Sequence, residues 1–351
     1  GPAVEQFEHA LCAYTGAKYC VAVSKGTAAL HLAVAALKIQ PPASGVTSPV
    51  TFLASSNALL YAGLRPLFAD VDPLSVNMSP GSLKKMIRKD TRIIIPVHFS
   101  GRPASFEEIA DIAAENKCFV IEDAAHAIGS RYPDGKRVGN CALSHMTVFS
   151  FHPVKTITTG EGGAIMTNDK TIYGRLLSLR SHGIVRDPAL LKRSPGPWYH
   201  EMRELGFNYR LTDIQAALGL SQLRKIESFK ARRLEIVARY NEAFGKMDRV
   251  RPVADHDRRS AYHLYVVRID FRKLGLSRRE VMEKLARQGV GTQVHYIPVY
   301  RQPFYRQNFS YSLKDFPQAE KYYEECLSLP LFPSLTDRDV GRVIRAVRSC
   351  C

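Results

Sequence analysis

No apolar run in the 351-residue sequence approaches the roughly 20 residues that span a bilayer, which argues against a membrane protein. The opening Gly1–Ala10 lacks a basic stretch followed by an apolar one, so it does not read as a secretory signal. There is no C-x-x-C, and the seven cysteines are an odd number. Several lie in or beside apolar runs, where cysteine behaves as a small hydrophobe. That usage predicts a reducing, cytoplasmic setting without a disulfide framework. No paired Cys/His spacing and no H-E-x-x-H suggests a metal. A G-x-x-x-x-G-K-[ST] loop is missing, and no G-x-G-x-x-G follows a strand, which excludes the two commonest nucleotide fingerprints. Acidic residues are scarce: 33 Asp and Glu stand against 49 Lys and Arg, a net charge of +16.

Such a balance attracts anions, whether nucleic acid, anionic membranes or phosphorylated small molecules. The basic residues are spread in small clusters, such as Lys84, Lys85, Arg88 and Lys89, or Arg342, Arg345 and Arg348. Without a basic tail or an aromatic-interleaved RNA motif, they read as solvated helix faces. The composition, 45% hydrophobic and 23% charged, is that of a globular protein with a sizeable core.

Seven short apolar runs punctuate the first half: Tyr19–Val23, Gly45–Ser48, Pro66–Val71, Arg92–Phe99, Cys118–Glu122, Met146–Phe151 and Gly163–Thr167. Amphipathic stretches such as Ala28–Leu37 and Ala104–Asn116 separate most of them. The alternation predicts an α/β fold, a mostly parallel sheet covered by helices on both faces. Only His152–Gly162 separates the last two runs, barely enough for a crossover and without a helical pattern. The last strand should therefore be antiparallel to its neighbour, its loop free to carry function. Thr212 and Gln215 form a capping box ahead of one long helix, whose apolar face includes Ile214, Leu218, Leu223 and Ile226 and runs to about Phe244. A polar stretch, Met247–Asp257, then marks a boundary near 248. Beyond it, strand-like Tyr262–Ile269 and Gly291–Tyr296 flank a helix at Ser277–Gln288, and a terminal helix follows Thr336. The expected domains are 1–248, including the long connecting helix, and a smaller α+β unit, 249–351.

Four segments carry chemistry. Ser24–Leu30 follows a strand and opens a helix, where free N–H groups suit a phosphate; a plain strand-to-helix turn fits as well. Asp123 lies past the end of an apolar strand, where open α/β sheets bind ligands, and could hold a protonated ring nitrogen or simply cap a helix. Lys155 follows a buried strand and precedes Gly160, Gly162 and Gly163; such a lysine can form a Schiff base, although a loop lysine is ordinarily a solvated charge. Gly206–Thr212 is a polar turn ahead of the capped helix.

Taken together, FSFHPVKTITTGEGGA at Phe149–Ala164, RSHG at Arg180–Gly183, GFNYRLTDIQAALG at Gly206–Gly219 and LSLPLFPSLT at Leu327–Thr336 resemble the DegT/DnrJ/EryC1/StrS sugar aminotransferases, pyridoxal-phosphate enzymes of fold type I. PVHFSG at Pro96–Gly101, GPWYHEM at Gly196–Met202 and GTQVHYIPVYRQPFY at Gly291–Tyr305 resemble the PseC-like branch, which aminates a UDP-linked 4-keto-6-deoxy-N-acetylhexosamine on the route to pseudaminic acid. The resemblance implies a three-layer αβα architecture with a seven-stranded sheet, and a homodimer with shared active sites. By the same likeness, Lys155 is the Schiff-base lysine and Asp123 the partner of the pyridine nitrogen. His126 stands where most members have Gln, near the cofactor's 3-oxygen. Gly26, Thr27, Ala28 and Ser150 match the phosphate cup, Phe52 the aromatic stacked on the ring, and Asn208 an asparagine that reaches the neighbouring subunit's phosphate. His295 and Tyr296 match residues near the nucleotide-sugar. Glutamate is the expected amino donor, with Arg210 as a cation for its carboxylates. Two departures accompany the likeness: members carry a further segment ahead of the position of Gly1-Pro2, and Lys25 replaces a small residue in the phosphate-cup turn. Other nucleotide-linked keto-sugars are the rival substrates. A non-catalytic anion-binding protein or an inactive relative is the rival class, against which Lys155 with Asp123 argues.

Overall fold

The computed structural model describes residues 1–193, 195–253 and 258–351; residues 254–257 of the polar boundary stretch lie outside them. The first half runs α1 (Pro2–Thr15), β1 (Tyr19–Val23), α2 (Gly26–Ala36), β2 (Ser44–Thr47), α3 (Ala54–Tyr61), β3 (Arg65–Phe68), α4 (Pro80–Met86) and β4 (Thr91–Ile95). It continues through α5 (Phe106–Glu115), β5 (Phe119–Asp123), β6 (Met146–Ser150), β7 (Gly163–Thr167) and α6 (Lys170–Arg180). A small ribbon, β8 (Ile184–Val185) and β9 (Glu201–Met202), precedes α7 (Asp213–Leu223) and α8 (Ile226–Phe244). The remainder is β10 (Val250–Pro252), β11 (Tyr265–Ile269), α9 (Phe271–Leu274), α10 (Arg278–Arg287), α11 (Pro303–Asn308), α12 (Pro317–Glu325), β12 (Cys326–Leu329) and α13 (Asp337–Cys350).

The seven expected strands form one sheet in the order β1-β7-β6-β5-β4-β2-β3. Pairing is parallel from β3 through β6, whereas β7 runs antiparallel to both β6 and β1. The short connection between β6 and β7 thus does what its length demands. The strands are buried on both faces, as a sheet covered by helices requires. One face packs Phe7 and Leu11 of α1, Ile109 of α5 and Ala216 of α7. The other packs α2 and α3 together with Ile172 and Leu176 of α6. The result is the αβα sandwich. A second sheet, β10-β11-β12, is antiparallel and packs against α10, α13 and the later turns of α8 through Ile236, Tyr240 and Phe244.

Three local expectations change. The helix from Thr212 to Phe244 is two helices, because the chain turns at Arg224–Lys225 between α7 and α8. The capping box on Thr212 and Gln215 forms, but Ile214 and Leu218, expected on the inner face, are 86% and 41% exposed. Leu223 and Ile226 are buried as expected, but earlier in α7 the residues that reach the core are Ala216 and Gly219. Gly291–Tyr296 is not a strand; only Gln293 bridges, to Ser328, and the partner strand β12 was not anticipated. Among the described residues, no helix is long and apolar enough to cross a membrane.

Candidate active site

The carboxyl ends of β5 and β6, the start of α2 and the loop after β6 surround a cavity of about 430 Å³. Gly26 begins α2, and Lys25, extended and exposed, precedes it. Close packing explains glycine at 26: a Cβ there would lie 2.8 Å from that of Ser150, the last residue of β6. Thr27 lines the cavity beside Gly26, whereas Ala28 points into the core under α2 and does not.

Lys155 sits on the β6–β7 loop, which is stapled rather than slack. Phe151 N–H donates to the Gly162 carbonyl at 2.9 Å, and Thr159 N–H to the Phe151 carbonyl at 3.0 Å. The Thr159 hydroxyl donates to the Glu161 carbonyl at 2.7 Å, and so does the Gln215 amide of α7 at 2.9 Å. A Cβ on Gly162 would fall 2.1 Å from the Thr159 hydroxyl oxygen, so only glycine fits. Burial lowers the Lys155 pKa to about 8, with Asp123 pulling the other way. An amine so placed is readily available unprotonated, as a nucleophile requires.

Asp123 is the last residue of β5 and is 5% exposed. Its Oδ1 accepts the Ala125 N–H at 3.1 Å and its Oδ2 the Ser55 hydroxyl at 2.6 Å. Ser55 is in turn 2.8 Å from the Thr51 hydroxyl. No helix follows, so Asp123 is not a helix cap. Beside it, His126 is buried, with Nε2 3.1 Å from the Tyr296 hydroxyl and Nδ1 buried without a partner among the described residues. Burial, then the nearby Lys155, pushes the His126 pKa well below the usual imidazole range, so the ring is neutral. His295 lies on the same wall, its Nδ1 2.8 Å from the Ser328 hydroxyl and its pKa lowered to about 4 by burial and by Lys155. Phe52, 58% exposed, stands at the rim 6.5 Å from the Tyr296 ring.

The cavity thus unites Gly26, Thr27, Phe52, Asp123, His126, Ser150, Lys155, His295 and Tyr296. It leaves out Asn208 and Arg210. Their segment is extended: Phe207 and Tyr209 turn inward onto His31 of α2, and Asn208 and Arg210 therefore turn outward and are exposed. Ser55 and His263 escape a reading of the sequence. Ser55 is an unremarkable residue of α3 that reaches Asp123 across the fold. His263 brings its ring 4.5 Å from that of His126 from 137 residues away in the chain numbering.

The chain matches the DegT/DnrJ/EryC1/StrS aminotransferase family over residues 1–348. It is 40% identical over 350 residues to the spore coat polysaccharide biosynthesis protein SpsC of Bacillus subtilis, covering 99% of this chain and 89% of that one. Its fold resembles Helicobacter pylori PseC, an aminotransferase involved in the biosynthesis of pseudaminic acid: TM-score 0.91, 31% identity, 100% of this chain and 91% of that one. It also resembles the sugar aminotransferase Spr1654 of Streptococcus pneumoniae in its PLP-form: TM-score 0.89, 28% identity, 100% of this chain and 91% of that one.

The residues present fit pyridoxal phosphate. A lysine of lowered pKa, a carboxylate with few partners and an orphaned His126 Nδ1 border one cavity, and a helix N-terminus with its N–H groups opens onto it. Fold, residue set and family agree: this chain is a PLP-dependent sugar aminotransferase and belongs to the DegT/DnrJ/EryC1/StrS aminotransferase family.

Proposed function

We propose that the chain transfers an amino group from glutamate to C4 of a UDP-linked 4-keto-6-deoxy-N-acetylhexosamine, a step toward pseudaminic acid. The carrying observation is that His295 and Tyr296, from the segment that resembles the PseC-like branch, stand on the same cavity wall as Lys155. The likeness to PseC supports the same reading. When bound, pyridoxal phosphate supplies an electron sink for breaking and making the C–H and C–N bonds of amine transfer. Lys155 would hold it through the amine and carry the proton at the carbon that gains or loses nitrogen. Asp123 would meet the ring nitrogen and favour its protonated form, because opposite charges attract. His126 would offer Nδ1 to the 3-oxygen. Gly26, Thr27, Ala28 and Ser150 would supply the phosphate cup, Ala28 by its backbone alone, and Phe52 would cover the ring. His295 and Tyr296 meet the nucleotide-sugar.

Asn208 and Arg210 face outward, and Leu205 and Ile214, near them in the sequence, are exposed as well. This supports a homodimer in which each chain lends Asn208 to its partner's phosphate and Arg210 to the donor carboxylate. In this reading the chain comprises units 1–248 and 249–351, which meet along α8. It works in the cytoplasm, where its seven unpaired cysteines would stay reduced.

The likeness to SpsC favours a second substrate reading, another nucleotide-linked keto-sugar of polysaccharide synthesis. A panel of UDP- and dTDP-linked 4-keto sugars with glutamate, read by mass spectrometry, separates the two. The first reading expects the UDP-linked N-acetylated 4-keto-6-deoxy sugar to turn over best; preference for a dTDP sugar would replace it with the second.

A further inference from the structure

The end of β5 carries two neighbouring carboxylates in opposite surroundings. Asp123 faces the cavity, and Glu122 points to the other face of the strand and is fully buried. Oε1 of Glu122 accepts hydrogen bonds from the hydroxyls of Ser144 at 2.6 Å and Thr147 at 2.7 Å. Oε2 accepts from His98 Nε2 at 2.7 Å and from the Tyr132 hydroxyl. Two donors on each oxygen saturate the group.

None of these partners brings a positive charge. His98 Nδ1 accepts the Ala104 N–H at 3.1 Å, so the imidazole proton sits on Nε2 and the ring is neutral. Tyr132 is a buried phenol whose pKa is raised well above its ordinary value, by burial first and then by Glu122. Cys141, also near Glu122, is pushed up to about 12 by burial and Glu122, so it is a neutral thiol. Burial works against the Glu122 anion, but His98 first, then Ser144 and Tyr132, outweigh it and hold the pKa below the ordinary value. Glu122 is therefore an ionised carboxylate, sealed from water, with no cation among its hydrogen-bond partners.

Holding the strands together does not require that charge. Glutamine could point its carbonyl at His98 and Tyr132 and its amide at Ser144 and Thr147, whose hydroxyls can turn to accept. A lone buried charge is expensive, and its field reaches across the strand. On the other side is Asp123, whose backbone is gripped by the same loop: His98 N–H donates to its carbonyl at 3.0 Å, and its own N–H donates to Pro96 at 2.9 Å.

We propose that Glu122 is a positioning residue that acts through Asp123, a second and permanently buried anion that helps keep the cofactor's ring nitrogen protonated. This rests on the reading of Asp123 given above. Neighbouring strand residues point to opposite faces, so the Glu122 charge lies on the order of 10 Å from the group Asp123 meets. At an effective dielectric of about 20, that field shifts a pKa by about one unit.

The test reconstitutes the protein with pyridoxal 5'-phosphate labelled with nitrogen-15 in the ring, and follows the ring-nitrogen resonance against pH. Glu122→Gln should lower the ring-nitrogen pKa by about one unit, leaving KM for the sugar nearly unchanged. Ser144→Ala, which removes a donor but not the charge, should lower Tm and leave the ring-nitrogen pKa in place. A folded Glu122→Gln protein with the wild-type ring-nitrogen pKa overturns the proposal, provided Asp123→Asn shifts it. If Asp123→Asn shifts nothing either, the reading of Asp123 fails first, and this inference falls with it. Should Glu122→Gln not fold, the apolar set His98→Leu, Glu122→Met and Tyr132→Phe removes the charge together with its ring donors and is read in the same way.

Discussion

The end of β5 and the turn at Gly206–Thr212 both carry residues expected at the active site, and they are built in opposite ways. At β5 the carboxylates are anchored inside the chain: Asp123 to Ser55 and Ala125, Glu122 to four donors. At the turn, the backbone is held by pairing to Arg180, His182 and Ser24, but the side chains of Asn208 and Arg210 stand in solvent. The first arrangement is pre-organised chemistry, in which dipoles and charges are fixed before any ligand arrives. The second is a rigid platform that presents polar groups outward. The difference suggests a division of labour. In the function proposed above, the acid, the lysine and the imidazole belong to a single chain's interior, and the contacts that complete the phosphate and donor sites would come from a surface.

The largest effect should come from the interior. Lys155→Met is expected to lower turnover by at least about 10³-fold, because both the covalent tether and the proton carrier are lost. Borohydride reduction and peptide mapping of the wild type should find the pyridoxyl group on Lys155; label on another lysine would remove Lys155 from the interior half. The same substitution sharpens the comparison in cofactor-free protein. The Lys155 pKa is about 8 in the folded chain against an ordinary 10.5, so the unfolded chain binds the extra proton between those values. Wild-type stability should therefore rise relative to Lys155→Met as pH climbs from 7 to above 10.5, by up to roughly 3 kcal/mol. Paired denaturant titrations at several pH values measure the gap; a pH-independent gap would mean the amine is not desolvated.

The smallest effect belongs to the surface half. Asn208→Ala should cost about 10-fold, the loss of one hydrogen bond to a charged phosphate, without lowering Tm. Mixed dimers decide whose site it serves. A dimer of one Lys155→Met chain and one Asn208→Ala chain places both lesions in one site if Asn208 acts across the interface, leaving the other whole. Refolding the two together should then recover up to about half of wild-type activity per heterodimer. Activity no better than the mean of the two homodimers would return Asn208 to its own chain's site and break the comparison.

Much of the interior half was legible because it is local in sequence. Asp123 ends an apolar run, and Lys155 lies between two such runs too close together for a crossover. Gly26 and Gly162 mark backbone approaches that a side chain would block. Ser55 and His263 were not legible, because each reaches the site only through packing between elements remote in the chain. The same limit misassigned α7. Periodicity marks an apolar stripe without saying what the stripe meets, and Ile214 and Leu218 face outward while the smaller Ala216 and Gly219 pack inward. At Gly291–Tyr296, β-branched and aromatic residues suggested a strand, yet the segment makes one bridge and lends His295 and Tyr296 to the cavity instead.

Short-range patterns, namely the period of burial and the length of a connection, were enough for the alternation of strands and helices and for the antiparallel last strand. They singled out Lys155 and Asp123 by their places beside strand ends, and the roles expected of the two came from the family resemblance. Packing in three dimensions settled that Glu122, next to Asp123, is a sealed carboxylate ringed by four donors. It also decided that Ala28 is core and that Asn208 and Arg210 leave their own chain's cavity. Each of those depends on which face of an element meets which neighbour, and electrostatic character is set by those neighbours rather than by the residue alone.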